Sequence, residues 1–227
     1  MVTVDGKVLD KNQVPTPTTA DSDTLLSAVL TVAREVAGDR SDVTVCGVGC
    51  GGPMTRNGGR VSPLNIPAWR EFPLRKRLSD SLGLHVAVDN DAKALALGEA
   101  WFGAGRKYSN FLAMVVSTGI GGGLFVDGDL LDGLAGNAGH IGHVVVEPEG
   151  AMCACGSRGC LEAEASGPSI GRRIGAHPST AGVEEKRRAG TLVGRAVASV
   201  VNLLDLEHVL VGCLLYTSDA ADEGLGV

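Results

Sequence analysis

Long apolar runs, long runs of basic residues and a leader-like N-terminus are all missing from this sequence. No stretch approaches the ~18–20 uninterrupted apolar residues of a membrane-spanning helix, so we expect no membrane partner. The 20 basic and 26 acidic residues give a net charge of −6, and no run of Lys or Arg offers a nucleic-acid-binding surface. Residues 1–7 lack a basic region followed by an apolar core, so no signal peptide is predicted and we expect a cytoplasmic protein.

The composition is that of a folded protein. Hydrophobic residues make up 44% and charged residues 20%, which excludes disorder as the main state. A chain of 227 residues forms one domain or two small ones. Glycine, with 33 residues, is about twice as frequent as usual. This surplus indicates tight turns and backbone brought close to a ligand.

Apolar runs alternate with helical patterns, and each ends in a polar or glycine-rich loop. This order predicts an α/β architecture with ligands bound at strand ends. The apolar spacing predicts helices over residues 22–37, 73–82, 92–102 and 191–204. Short apolar runs predict strands over residues 43–48, 85–88, 108–117, 124–126 and 209–211. Residues 1–9 are expected to form a hairpin, and residues 118–123 a loop.

His143 and three closely spaced cysteines, Cys153, Cys155 and Cys160, form the strongest chemical pattern. One imidazole and three thiols are the four ligands that a closed tetrahedral zinc site requires, and soft thiolates favour zinc over magnesium or calcium. Because no ligand position is left for water, the zinc would be structural and would close the loop. Free cysteines or a redox pair are the alternative, and they account less well for three thiols among eight residues.

Residues 117–123, Ser-Thr-Gly-Ile-Gly-Gly-Gly, lie between two predicted strands. Consecutive small residues expose backbone N–H groups that can hold phosphate oxygens, and Thr118 adds a hydroxyl donor. The spacing matches neither the P-loop nor the dinucleotide-binding motif. A phosphate-binding loop and a plain hairpin turn therefore both remain open from the residues alone.

Asp89, Asn90 and Asp91 stand between a predicted strand and a predicted helix. One interpretation is helix capping, in which Asn90 or Asp91 accepts the first free N–H groups of the helix. The other is catalysis, in which a carboxylate held by the strand takes a proton from a substrate hydroxyl and Asn90 orients the substrate. Local physical chemistry does not separate the two.

Taken together, these motifs resemble the ROK family (repressors, open reading frames and sugar kinases), and most closely its glucokinase-like branch. The matching segments occur in the family's order, from near residue 1 to about residue 211. They are residues 51–53, 63–69, 88–92, 117–123, 139–143 and 153–162. The resemblance implies the actin-like, ribonuclease-H-like sugar kinase fold, with an N-terminal lobe over residues 1–106 and a C-terminal lobe with the zinc loop over residues 107–212.

The resemblance also implies a function, ATP-dependent phosphorylation of a hexose, with glucose as the expected substrate and its 6-phosphate as the product. Asp91 would be the catalytic base. The residues that would contact the sugar are Asn65, Asn90, Asp91, His140, His143 and Glu162. The phosphates of ATP, which carries Mg²⁺, would meet Thr118, Gly119, Gly121 and Gly122. A homodimer in carbohydrate metabolism (glycolysis) is expected.

Two departures from the family pattern bear on these expectations. Family sugar kinases commonly carry Glu where this chain has His140, so the sugar stays open among glucose, N-acetylmannosamine and fructose. The chain begins after the family's Asp-x-Gly-Gly-Thr phosphate hairpin, and residues 213–227 are predicted to be a non-native tail. We therefore expect a chain truncated at both ends, with little kinase activity of its own. The alternatives are a sugar-responsive repressor and a non-catalytic sugar-binding remnant.

Overall fold

The computed structural model describes residues 1–18 and 20–213 and divides the chain into two compact units. The first unit holds residues 1–91 with 134–137, and the second holds residues 92–133 and those from 138 onward. Strands and helices build both units, as the α/β prediction requires. The expected lobe boundary at residue 106 stays a prediction. The expected tail, residues 213–227, lies outside the described residues except for Cys213.

The first helix of the first unit is α1 (Ser22–Ala37), which confirms the predicted helix. The Asp21 side chain accepts hydrogen bonds from the N–H groups of Asp23 and Thr24 and so caps the first turn. Gly38, with φ of 55°, ends the helix in a conformation that favours glycine. The apolar face of α1 buries three side chains, those of Leu25, Leu26 and Leu30.

Two parallel strands, β1 (Val45–Cys50) and β2 (His85–Asn90), form the sheet of this unit. Val45 lies opposite His85, and Cys50 lies opposite Asn90, so both strands end at the same edge. Helix α2 (Leu74–Leu82) buries Leu74 and Leu78 in the core beside this sheet. The register therefore places Asn90, and Asp91 directly after it, beside the end of β1.

The second unit is organised around a four-stranded sheet. Helix α3 (Asp91–Trp101) leads into it directly after β2. The sheet contains β3 (Phe111–Val116), β4 (Ile120–Val126), β5 (Asp129–Leu130) and β6 (His208–Cys213), in the order β5-β4-β3-β6. Strand β4 runs antiparallel to β3 and β5, whereas β6 runs parallel to β3.

The glycine run is where the structure corrects the sequence interpretation. Residues 118–123 were expected to form a loop, but β4 begins at Ile120 and contains the three glycines that follow. A Cβ on Gly121 would lie 2.8 Å from the Ala92 Cβ, and a Cβ on Gly123 would lie 2.5 Å from the Ala96 Cβ. Close approach of α3 to the strand therefore requires glycine at these positions, and β4 continues through them.

Three further helices pack on this sheet: α4 (Leu161–Ala165), α5 (Gly167–Ile174) and α6 (Val183–Leu204). Only α6 was predicted, and it begins at Val183 rather than at residue 191, because its first turns are too polar to show an apolar spacing. The helices and the sheet share one core, whose largest buried members include Leu112, Met114, Leu124, Leu161, Ile170 and Leu192.

The N-terminal hairpin predicted over residues 1–9 is present in reduced form. A single antiparallel bridge joins Val2 to Val8, and the N–H of Thr3 donates to the carbonyl oxygen of Lys7 over 2.9 Å. The residues on either side of this bridge do not form a regular β-strand. Within residues 1–18 and 20–213, no helix combines the length and apolar character needed to cross a bilayer.

The packing of α3 on β4 can be tested with two glycine substitutions. Gly123→Ala is expected to lower the free energy of unfolding by about 1–3 kcal/mol, because the added methyl group overpacks the contact with Ala96. Gly190→Ala is the control, since it adds a methyl group to an exposed interior position of α6 with nothing within 4 Å. It is expected to stabilise by about 0.5–1 kcal/mol. Urea denaturation measures both, and equal stabilities would contradict the packing explanation.

Candidate functional site

The four predicted metal ligands come together in the second unit. The ligand atoms of His143, Cys153, Cys155 and Cys160 all lie within 4.8 Å of one another. The Cys153 Sγ is 3.6 Å from the His143 Nδ1, and the Cys155 Sγ is 3.6 Å from the Cys160 Sγ. Three other cysteines lie elsewhere in the described residues: Cys46 and Cys50 on β1 in the first unit, and Cys213 at the end of β6. The prediction of one His–Cys–Cys–Cys cluster is therefore confirmed.

Backbone geometry, more than apolar packing, shapes the loop that carries the thiols. Among residues 147–159, only Cys153 has a buried hydrophobic side chain. The Cys153 N–H donates to the Ser157 carbonyl oxygen over 2.8 Å, and Gly156 turns the chain between them with φ of 92°. At Gly159, φ is 71° and a Cβ would clash with the Glu147 carbonyl oxygen. These two glycines let the chain return so that the three sulfurs converge.

The ligand set fits a tetrahedral Zn²⁺ ion. Zinc–sulfur bonds of about 2.3 Å place two sulfurs roughly 3.8 Å apart, close to the observed separation of Cys155 and Cys160. Burial raises the pKa of the Cys160 thiol to about 12 and also raises the pKa of the Cys153 thiol. A hydrogen bond from the Ser157 backbone lowers the pKa of Cys155. A bound cation would displace the thiol protons, since thiolates are the form that binds metal.

Glu162 and His140 lie beside this cluster. Glu162 opens the first turn of α4, two residues after Cys160, and its Oε2 accepts the Ile120 N–H over 2.9 Å. A Cβ on Gly119 would lie 3.0 Å from the same carboxylate oxygen. The ring of His140 stacks on that of His143, with centroids 6.1 Å apart and planes 12° apart. The second unit thus brings a carboxylate and two imidazoles to the region where β4 begins.

Thr118 and Gly119 form the tight turn between β3 and β4. The Ser117 N–H donates to the Gly119 carbonyl oxygen over 2.9 Å, and the Gly167 N–H donates to the Ser117 carbonyl oxygen over 2.8 Å. Gly121 and Gly122 lie within β4 itself. The hairpin turn is thus present but shorter than the predicted loop. The role of these residues in phosphate binding stays a prediction.

The remaining predicted site residues, Asn65, Asn90 and Asp91, lie in the first unit. Asn90 ends β2 opposite Cys50, and the Asn65 Oδ1 is 3.6 Å from where a Cβ on Gly51 would be. Burial and the negative charge of Asp91 raise the pKa of the Cys50 thiol to about 11, which indicates that this carboxylate is near the end of β1. The edge formed by β1 and β2 thus carries two amides and a carboxylate.

The structure also shows two buried charged residues that sequence reasoning missed. Lys93 is 1% exposed, and its Nζ pairs with Asp132 at 2.5 Å. Glu164 is 2% exposed. Burial opposes its ionisation, but the Ala151 N–H and the Arg188 and Arg173 guanidinium groups hold the pKa of this carboxyl below its ordinary value. The partners are distant in sequence, so no local pattern could have identified these pairs.

These features define a class of protein: an α/β protein with a polar edge at parallel strand ends and a loop that gathers one histidine and three cysteines able to hold a metal ion. The chain belongs to the ROK family, whose family model matches residues 1–222. The expected family and its α/β sugar kinase fold are thereby confirmed.

Similarity to individual proteins agrees with this assignment. The chain is 42% identical over 174 residues to a glucokinase of Thermotoga maritima, covering 76% of this chain and 54% of the relative. It is 32% identical over 226 residues to an N-acetylmannosamine kinase of Citrobacter koseri, covering 92% and 76%. A ROK family glucokinase from Streptomyces griseus, solved with glucose and AMPPNP, matches with a TM-score of 0.82 and 28% identity, covering 93% of this chain and 78% of that chain. The chain spans about half the length of the Thermotoga maritima glucokinase and of a second glucokinase, from Halalkalibacterium halodurans.

The metal-binding prediction can be tested by removing one ligand. Cys155→Ser is expected to abolish stoichiometric zinc binding, because a hydroxyl is a poor substitute for a thiolate and Cys155 is exposed, so that packing changes little. The control is Cys46→Ser on β1, which is expected to retain one zinc per chain. Elemental analysis of the purified variants gives the stoichiometry. Full zinc content in the Cys155 variant would contradict the assignment.

Proposed function

We propose that the full-length protein is an ATP-dependent sugar kinase that transfers the γ-phosphoryl group to a hexose, with glucose as the preferred sugar. The observation that carries this proposal is the 42% identity to a glucokinase over a region that includes the strand-end carboxylate Asp91 and the His–Cys–Cys–Cys cluster. The relatives described above are kinases, which favours this activity over a sugar-responsive repressor and over non-catalytic sugar binding.

In this proposal Asp91 is the catalytic base. It lies at the first position of α3, directly after β2, so the strand and the helix together restrict where its carboxylate can point. It would take the proton of the primary hydroxyl as that oxygen attacks the γ-phosphorus. The amides of Asn65 and Asn90, at the same edge of the sheet, would hydrogen-bond other hydroxyls and orient the ring.

Three further residues are proposed to contact the sugar. His140, His143 and Glu162 offer donors and acceptors to sugar hydroxyls, and the bond from the Ile120 N–H holds the Glu162 carboxylate in place. A zinc ion bound by His143 and the three thiols would be structural, because it would fix the His143 imidazole and the loop that carries the thiols. Four small residues would meet the phosphates of Mg²⁺-ATP with their backbone N–H groups: Thr118, Gly119, Gly121 and Gly122.

The wider setting follows from the same assignment. A kinase acting on glucose belongs to carbohydrate metabolism, at the entry to glycolysis, and we place it in the cytoplasm, where ATP is available. We further propose that the full-length protein is a homodimer. The acidic balance of the chain is consistent with small-molecule partners and with no nucleic acid on the covered residues.

Replacing Asp91 tests the catalytic assignment. Asp91→Asn in the full-length protein is expected to lower kcat by about 10²–10⁴-fold, because an amide cannot accept the hydroxyl proton. Asp80→Asn, which removes a carboxylate from an exposed ion pair with Lys76 on α2, is expected to leave kcat unchanged. A coupled assay of ADP formation measures both. Near-normal turnover in the Asp91 variant would refute its role as the base.

The choice of sugar can be tested separately. The full-length protein is expected to bind glucose more tightly than N-acetylmannosamine or fructose, because the higher identity is to a glucokinase. Isothermal titration calorimetry with the three sugars, followed by the kinase assay, gives the ranking. If N-acetylmannosamine binds more tightly than glucose, it takes the place of glucose as the proposed substrate. That result would also point to His140, where this chain departs from the glutamate common in the family, as the residue to exchange next.

A further inference from the structure

Glu164 is a buried carboxylate to which neither the metal cluster nor the proposed sugar contacts give a role. It lies on α4, four residues after the ligand Cys160 and two residues after Glu162. Its side chain is 3% exposed. A buried charge is costly unless it is paired and hydrogen-bonded, so its contacts show what the residue does.

One carboxylate oxygen of Glu164 faces the loop that leads to the thiols. Its Oε1 accepts the Ala151 N–H over 2.5 Å, two residues before the ligand Cys153. A Cβ on Gly150 would clash with the same oxygen, so the glycine lets the loop approach the carboxylate. The Ala151 carbonyl oxygen accepts the Gly159 N–H over 2.8 Å, which ties the same point to the end of the loop.

The other carboxylate oxygen faces two helices. Its Oε2 accepts from Arg188 on α6 and, over 3.2 Å, from Arg173 on α5. The same two arginines donate to the Glu164 main-chain carbonyl oxygen, over 3.2 Å and 3.1 Å respectively. Charge-assisted bonds of this kind are stronger and more directional than neutral ones. Glu164 thus joins the loop to α4, α5 and α6 through one side chain.

Stability alone does not account for this arrangement. A buried ion pair is often no better for stability than apolar side chains of similar volume. A carboxylate here does what an apolar residue could not do, because it accepts a loop N–H and two guanidinium groups at once. The loop needs such a contact, since Cys153 contributes the only buried hydrophobic side chain of residues 147–159.

We propose that Glu164 is a positioning residue that holds the loop of residues 147–153 in the geometry required for metal binding. Through α4 it also fixes the angle at which Glu162 is presented. The effect on the loop rests on the ligand geometry alone. The effect on Glu162 rests on the proposed function, since it assumes that Glu162 contacts a sugar.

The test compares Glu164→Gln with Glu149→Gln in the zinc-loaded full-length protein. Both variants remove one negative charge from this region, but Glu149 is exposed and lies outside the cluster. We expect Glu164→Gln to release zinc to the coloured chelator pyridylazo-resorcinol about tenfold faster, as is typical when a group that orients metal ligands is lost. Amide hydrogen exchange at Ala151 is expected to accelerate as well. Glu149→Gln is expected to match the unaltered protein in both measurements.

A purely structural role would give a different result. In that case the melting temperature of Glu164→Gln would fall while zinc release and Ala151 exchange stayed unchanged, and the proposal would be overturned. Arg188→Lys keeps the charge and gives up the forked donor, so it is the second variant should Glu164→Gln not fold. An intermediate release rate is expected for it, and a release rate equal to that of the unaltered protein would count against the proposal.

The effect on sugar binding is measured separately from the effect on the metal site. With zinc loaded, Glu164→Gln is expected to raise hexose KM and leave kcat unchanged, because Glu162 would contribute binding and not proton transfer. An unchanged KM would refute the effect on Glu162. Zinc release and amide exchange are measured without sugar, so they test the role of Glu164 in the loop whatever the kinase assay gives. If the unaltered protein phosphorylates no hexose, that result contradicts the proposed function and leaves the test of the loop intact.

Discussion

Closure of the thiol loop is the constraint on which the second unit depends. Residues 147–159 bury only one apolar side chain, that of Cys153, and leave Met152 exposed, so hydrophobic packing does not hold them. Backbone hydrogen bonds do so instead, and the four ligand atoms, which lie within 4.8 Å of one another, offer a site where a bound metal ion would close the loop. The last ligand, Cys160, is directly followed by α4, the helix that carries Glu162 and Glu164. A metal at this point would therefore set the position of side chains that are not themselves ligands.

The first unit depends on a different device, the alignment of parallel strand ends. Because β1 and β2 pair in parallel and in register, Cys50 and Asn90 end their strands side by side. Asp91 then follows at the first position of α3, where the strand before it and the helix after it restrict the backbone that carries its carboxylate. Placing the proposed base on rigid elements would suit phosphoryl transfer, in which positioning supplies most of the catalysis. The two units thus fix their polar residues by two independent physical means.

Much of this architecture could be predicted from local patterns, and the failures have identifiable causes. Helix α1 and the strands β1 and β2 that follow it were visible as apolar spacing and short apolar runs. The glycines after Ile120 were misinterpreted as a loop, because a glycine that makes room for a neighbouring helix looks the same in sequence as one that makes a turn. Helices α4 and α5 are too short, at five and eight residues, to show a period.

The sequence by itself determined the chemistry of the His–Cys–Cys–Cys cluster, since one imidazole and three thiols within a short segment can meet only if the chain turns back, and glycines at the turns permit it. It also determined that a carboxylate stands at a strand end. Only the tertiary structure decided which charges are buried and what balances them. Glu164 meets Arg173 and Arg188, and Lys93 meets Asp132, across separations of 9 to 39 residues. No local rule links such partners, because their pairing depends on how whole helices pack.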